Sequence, residues 1–184
     1  MKLLRGIAAL GLGAAAAVLT GCNGAAPFTQ VKLPELDRSW SAAAQLDIAG
    51  TEAAAEVSRI ESGCWEFCFT EPPELSGVVM TVENGSFSAR LGELSVDAGD
   101  GDITALPQVI ADGIDKACTL GQSGFTEEDG VLSASPEACG KSCTVTVDKA
   151  TGDILSFRCP GMKLAAYFDA SSPYTEEIGL IDEE

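Results

Sequence analysis

Histidine is absent from the 184 residues. Its absence removes the commonest general base, the Ser-His-Asp and Cys-His arrangements, and His-ligated zinc. The serines have no imidazole to activate them. Cations are scarce too: 11 Lys and Arg stand against 28 Asp and Glu, a formal net charge of −17. A chain with no basic patch repels a phosphate backbone, which excludes nucleic acid as a partner. No repeat of solenoid length is present. Gly121-Gln122-Ser123-Gly124 has neither a phosphate-binding lysine nor a βαβ setting, so it reads as a helix stop. No apolar run reaches the roughly 20 residues that span a bilayer.

What the chain does have begins with an address. Met1-Lys2-Leu3-Leu4-Arg5 is a short basic start, Gly6 to Val18 is uncharged and rich in Ala and Leu, and Leu19-Thr20-Gly21-Cys22 closes the run. That order is a secretory signal, because the positive end stays inside while the apolar middle enters the membrane. A cysteine after two small residues resembles the bacterial lipobox, in which the thiol is acylated and becomes the first mature residue. The expected divisions are a lipoprotein signal peptide over 1–21, a lipidated N-terminus and tether over 22–37, a body over 38–168, and an acidic tail over 169–184. Losing 1–21 removes two cations and no acids, so the mature body is more acidic still. Such a body is soluble and is repelled by anionic headgroups, leaving the lipid to hold it at the extracytoplasmic side of the cell membrane.

Six further cysteines remain: Cys64, Cys68, Cys118, Cys139, Cys143 and Cys159. In an exported chain an even number reads as disulfides. Two C-x₃-C pairs also allow four thiolates around a metal, although the spacing is not the usual C-x₂-C. Asp97-Ala98-Gly99-Asp100-Gly101-Asp102 has oxygen donors at short intervals but lacks the closing Glu of a calcium loop. It reads as a turn that caps the next helix. We therefore expect no metal, no cofactor and no catalytic residues; with 28 acids, any single pair chosen for glycoside hydrolysis is arbitrary.

The body alternates apolar and polar residues with period 2, as strands do. Asn84-Gly85 predicts a type I′ hairpin, which needs positive φ at both positions. With Glu83 opposite Ser86, the pairs Val82/Phe87, Met80/Ala89 and Val78/Leu91 share one face, while Thr81/Ser88 and Val79/Arg90 share the other. A second hairpin, with Asp148 opposite Ile154, aligns Val147/Leu155, Val145/Phe157 and Cys143/Cys159. That register places Cys143 and Cys159 within disulfide reach. A straight strand holds Cys64 and Cys68 roughly 13 Å apart, so elimination pairs them with Cys118 and Cys139, in either order. Further strands are expected over Trp40–Ile48, about Glu52–Glu61, Cys64–Thr70 and Met162–Phe168. Leu106, Ile110, Ile114 and Ala117 recur at helical spacing, predicting one main helix over about 104–120 with Thr104 as N-cap. The expected fold class is α+β: a curved antiparallel sheet of roughly eight to ten strands whose concave face is covered by that helix.

The order of these parts carries a likeness. An N-terminal strand group leads into Pro72-Pro73-Glu74-Leu75-Ser76-Gly77 and the Asn-Gly hairpin. Gly92-Glu93-Leu94, one helix and a late strand pair around Thr151-Gly152-Asp153-Ile154 follow. This resembles small clostridial-type lipoproteins with a LolA-like half-barrel body. The resemblance implies an open sheet curled around an apolar cavity, lidded by helix and used to hold acyl chains.

Two functions follow from different classes. The first is a membrane-anchored, non-enzymatic domain that binds an apolar ligand such as a lipid. One short helix cannot cover a broad curved sheet, and uncovered apolar area costs about 25 cal/mol per Å². The candidate lining is therefore Val78, Met80, Val82, Phe87, Ala89 and Leu91 from the hairpin, with Ile110 and Ile114 from the helix. The alternative is a disulfide-stapled surface adaptor that binds another envelope protein through its acidic exterior. The anchor is testable in either case: Cys22→Ala should leave unprocessed precursor or release the protein from the membrane fraction. Normal maturation and lipidation of Cys22→Ala would remove the anchor reading.

Overall fold

The computed structural model describes residues 32–97 and 106–175. Cys22, Thr104, the 1–21 signal, the first part of the tether, Ala98–Asp102 of the aspartate-rich turn and the end of the tail lie outside the described residues. Eleven strands form one antiparallel sheet. In chain order they are β1 (Trp40–Ile48), β2 (Thr51–Glu61), β3 (Cys64–Glu71), β4 (Val78–Glu83), β5 (Ser86–Leu91) and β6 (Leu94–Asp97). After the helix α1 (Leu106–Thr119) come β7 (Phe125–Glu128) and β8 (Val131–Ala134). The short hairpin β9 (Glu137–Ala138) and β10 (Lys141–Ser142) stands apart. It is followed by β11 (Thr144–Asp148), β12 (Ile154–Cys159) and β13 (Leu164–Phe168). The spatial order is β6-β5-β4-β3-β2-β1-β13-β12-β11-β8-β7, so the curved sheet is open, with β6 and β7 at its edges.

Register puts one apolar residue opposite another across the whole width. Phe67 faces Val57 on one side and Met80 on the other, Ala42 faces Val57, Leu46 faces Ala166, and Phe157 faces both Ala166 and Val145. These residues share one face because side chains alternate along each strand. Helix α1 lies on that face, burying Val109, Ile110, Ile114 and Ala117. The helix comes closest at Gly113, where a Cβ would stand 2.4 Å from a Phe157 ring atom. Glycine is required there because only its bare backbone fits against the ring.

The Asn-Gly hairpin has the expected register at every pair from Val78/Leu91 to Glu83/Ser86, with Asn84 at φ 49° and Gly85 at φ 87°. The second hairpin departs from expectation. Val145 does face Phe157, but a bulge after Thr146 sets Val147 opposite Ile154 rather than Leu155. The cause is Asp148, whose carboxylate accepts the N–H groups of Ala150 and Thr151 at 2.8 and 2.9 Å. That turn tightens the end of the β11–β12 ladder while Asp148 stays paired with Val131 of β8, so Ile154 enters the core and Leu155 does not. Strands β6 to β10 are short and give little periodicity, which is why the expected strand number falls below the observed one. The segment before β1 also packs: Leu36 is buried, Leu33 lies against the core, and Pro34 meets Gly152.

One charged side chain penetrates the apolar face. Arg59, opposite Trp40 and Trp65, is 1% exposed. Its Nε donates to Asp115 Oδ1 at 2.8 Å, one terminal nitrogen to the Arg38 carbonyl at 2.8 Å, and the other to Asp37 Oδ1 at 2.7 Å. Asp115 Oδ2 accepts from Trp65 Nε1 at 2.9 Å and from the Gly63 N–H at 2.8 Å. Burial pulls the Arg59 pKa down, but the bonds to Asp115 and Asp37 outweigh it and hold the guanidinium charged. Asp115→Ala strips three donors of their acceptor and should cost about 3–5 kcal/mol, read by urea unfolding. A loss below about 1 kcal/mol, the scale of an exposed pair, would show that the network does not hold the helix.

Candidate functional site

Two conditions leave an apolar groove at one end of the concave face. The helix is about 21 Å long at 1.5 Å per residue, too short to reach every strand. Its second half is seated by Asp115 on Trp65 and Gly63, and Gly113 lies on Phe157. Its first turn therefore stands over β3, β4 and β5. Between them lies a groove of about 200 Å³ lined only by apolar side chains. Phe67 and Phe69 on β3 form part of its floor, Met80 and Phe87 come from the Asn-Gly hairpin, and Leu106 and Ile110 form the roof. Leu46 and Ile48 on β1 close the far side, with Leu164 of β13, and Leu75 and Pro107 complete the lining. Gln108 Nε2 donates to the Gly85 carbonyl at 2.7 Å, tying the helix to the hairpin tip.

The expected lining residues divide into three groups. Met80, Phe87 and Ile110 line the groove. Val82 and Ile114 are buried in the core that the helix covers. Val78 packs at the margin, Ala89 is half-buried, and Leu91 is 49% exposed beyond the helix. The groove is thus narrower than the hairpin face and shifted toward β1 and β3. Phe67 and Phe69 carried the sequence signal, an aromatic alternation that suits core and lining equally. Leu75 gave none, because it reaches the groove from a turn in which its N–H donates to the Pro72 carbonyl at 2.9 Å.

Past the helix the same face continues outward to the edge. Ala89 pairs with Val96 and Leu91 with Leu94. Leu94 is 76% and Val96 67% exposed. The opposite edge is different: β7 ends in Glu127 and Glu128, charges that discourage another strand from adding there.

No protein-family profile and no curated protein sequence matches this chain. Solved structures do resemble it. A protein from Thermus thermophilus described only as a conserved one is 15% identical, with a TM-score of 0.48 over 77% of this chain and 83% of its own. A LolA superfamily protein from Nitrosomonas europaea is 8% identical, with a TM-score of 0.40 over 79% and 90%. A Vibrio parahaemolyticus domain described as an outer membrane lipoprotein-sorting protein is 10% identical, with a TM-score of 0.39 over 78% and 87%. The α+β assignment stands on the sheet order and register alone.

The described thiols are all free. Cys64 and Cys68 alternate with Trp65, Phe67 and Phe69, so they point away from the face on which the helix carries Cys118. This geometry corrects the pairing by elimination, because the sheet stands between Cys64/Cys68 and Cys118. The Cys118 thiol donates instead to the Leu36 carbonyl at 3.5 Å. Among the described residues no group of three or more Cys, Asp or Glu is placed to hold a metal ion.

Cys143 and Cys159 are both buried neighbours, the Cys143 thiol donates to the Lys141 carbonyl at 3.5 Å, and Cys139 lies nearby with its N–H on Asp112 at 2.7 Å. Burial, with the Cys159 partner, pushes the Cys143 thiol up to about 12. It is therefore protonated and slow to alkylate at neutral pH. Because the two thiols adjoin, mild oxidation of the full chain should link Cys143 to Cys159 in non-reducing peptide maps. Recovery of both as free thiols after oxidation, or linked elsewhere, would overturn that pairing.

Proposed function

We propose that this chain is a membrane-anchored extracytoplasmic lipoprotein that binds an apolar ligand and performs no chemistry. The observation that carries the reading is the groove between the first turn of α1 and strands β3 to β5. Its lining offers no nucleophile, no titratable group and no polar side chain. Such a surface recognises hydrocarbon and little else. At about 200 Å³ it is smaller than the usual drug-sized pocket and larger than an apolar cavity that holds benzene. It suits one end of an acyl chain rather than a whole diacyl lipid. The exposed row Leu91, Leu94 and Val96 extends the same face outward and gives the rest of the chain an apolar track.

The experiment is titration of the full chain with a fluorescent fatty acid. Met80 is half-buried at the groove wall, so Met80→Trp fills the space without removing a core residue. It should weaken binding about tenfold, the effect of losing roughly two buried methylenes. Arg90→Gln on the other face should leave binding unchanged. Absence of saturable uptake by the unsubstituted chain, or equal affinity in Met80→Trp, would overturn the reading.

A further inference from the structure

The outer face of the sheet carries a second concavity, of about 310 Å³. Asp47 on β1, Ala165 on β13 and Arg158 on β12 lie in one row across three strands. Ala165 is the small middle member, so a dip forms between two longer neighbours. Two turns close one end, and the Ala49 N–H donates to the Lys163 carbonyl at 2.8 Å to join them. Lys163 has a left-handed backbone, φ 51°, and its N–H donates to the Pro160 carbonyl at 3.0 Å, which holds the residue in place. Tyr167 forms another wall. Arg158 lies 5.3 Å from its ring centroid and donates to its hydroxyl at 3.1 Å.

Arg38, Arg59, Lys116 and Lys149 each hold a carboxylate within 2.9 Å. Among the described residues Lys32, Arg90, Lys141, Arg158 and Lys163 form no ion pair. Two of these five, Arg158 and Lys163, share one dish. Asp47 stands on the opposite wall, one oxygen accepting the Gly50 N–H at 2.8 Å. Two strand spacings, about 10 Å, separate its backbone from that of Arg158. Arg158 leans on Tyr167 instead of bridging the gap.

We propose that this dish binds a compact zwitterion of the phosphoethanolamine class. The phosphate sits on Arg158 and Lys163, and the ammonium on the remaining oxygen of Asp47. A guanidinium meets phosphate oxygens with parallel N–H groups, and an ammonium side chain adds a second point charge. A simple anion meets repulsion from Asp47, and a simple cation meets repulsion from Arg158 and Lys163. Only a ligand bearing both charges satisfies both walls. The site is on the opposite face from the apolar groove and does not depend on that groove's role.

Amide chemical shifts of the full chain, titrated with free phosphoethanolamine and separately with inorganic phosphate, test the assignment. Phosphoethanolamine should shift Lys163 and Ala165 saturably, with phosphate about tenfold weaker, the scale of one lost charged hydrogen bond. Asp47→Asn keeps an acceptor for Gly50 and should remove that preference. Arg158→Gln and Ala165→Leu should abolish both responses, while Arg90→Gln, an equal charge change elsewhere, should not. A second arm compares vesicles of phosphatidylglycerol alone with vesicles that also contain phosphatidylethanolamine. Preferential binding to the mixed vesicles, lost in Ala165→Leu, assigns the lipid headgroup as source; a response to free phosphoethanolamine only assigns the soluble compound. No saturable response in either arm, equal affinity for phosphate, or an equal loss in Arg90→Gln overturns the proposal.

Discussion

Asp115 determines where the one long helix among the described residues lies on the sheet. It accepts from the Arg59 guanidinium, the Trp65 indole and the Gly63 amide together, so it joins helix, β2, β3 and the β2–β3 turn at one point. Arg59 adds the segment before β1 through Asp37 and the Arg38 carbonyl. A buried charge with this many partners is costly to disturb, because any displacement leaves desolvated groups unpaired. The helix is thereby held over the middle of the sheet, and its length decides how far its cover extends.

The two ends of the concave face differ for that reason. Toward β11 and β12 the space is filled: Phe157 meets Gly113 closely enough to exclude a methyl group, and Cys143, Val145 and Cys159 are buried beneath. Toward β4 and β5 the cover ends, leaving the groove and then the open row of Leu91, Leu94 and Val96. The two sheet edges follow the same division, with Glu127 and Glu128 on β7 and the exposed Leu94 and Val96 on β6. Close packing fills one end, and accessible apolar surface remains at the other.

The faces of the sheet are also chemically separate. Period-2 alternation places hydrocarbon inward and leaves Asp47, Arg158, Lys163 and Tyr167 outward around the gap above Ala165. A row of three strands with a small central residue makes a dip without any loop insertion. The same alternation removes Cys64 and Cys68 from the helix side, whatever their redox state.

Much of the architecture was legible in the sequence because it rests on local rules. Positive φ at Asn84 and Gly85 set one hairpin register, alternation identified β1 and β3, and helical spacing identified α1. Composition alone removed histidine chemistry. Tertiary structure decided the rest, because those outcomes depend on partners distant in the chain. Asp148 turned into its own loop and shifted Val147 onto Ile154. Arg59 became a core residue only because Asp115, 56 positions later, was there to receive it. The groove took its walls from β1, β3, β13 and a Pro-Pro turn rather than from the hairpin alone. Periodicity reports which face a side chain occupies; how far one helix covers that face is set by long-range packing.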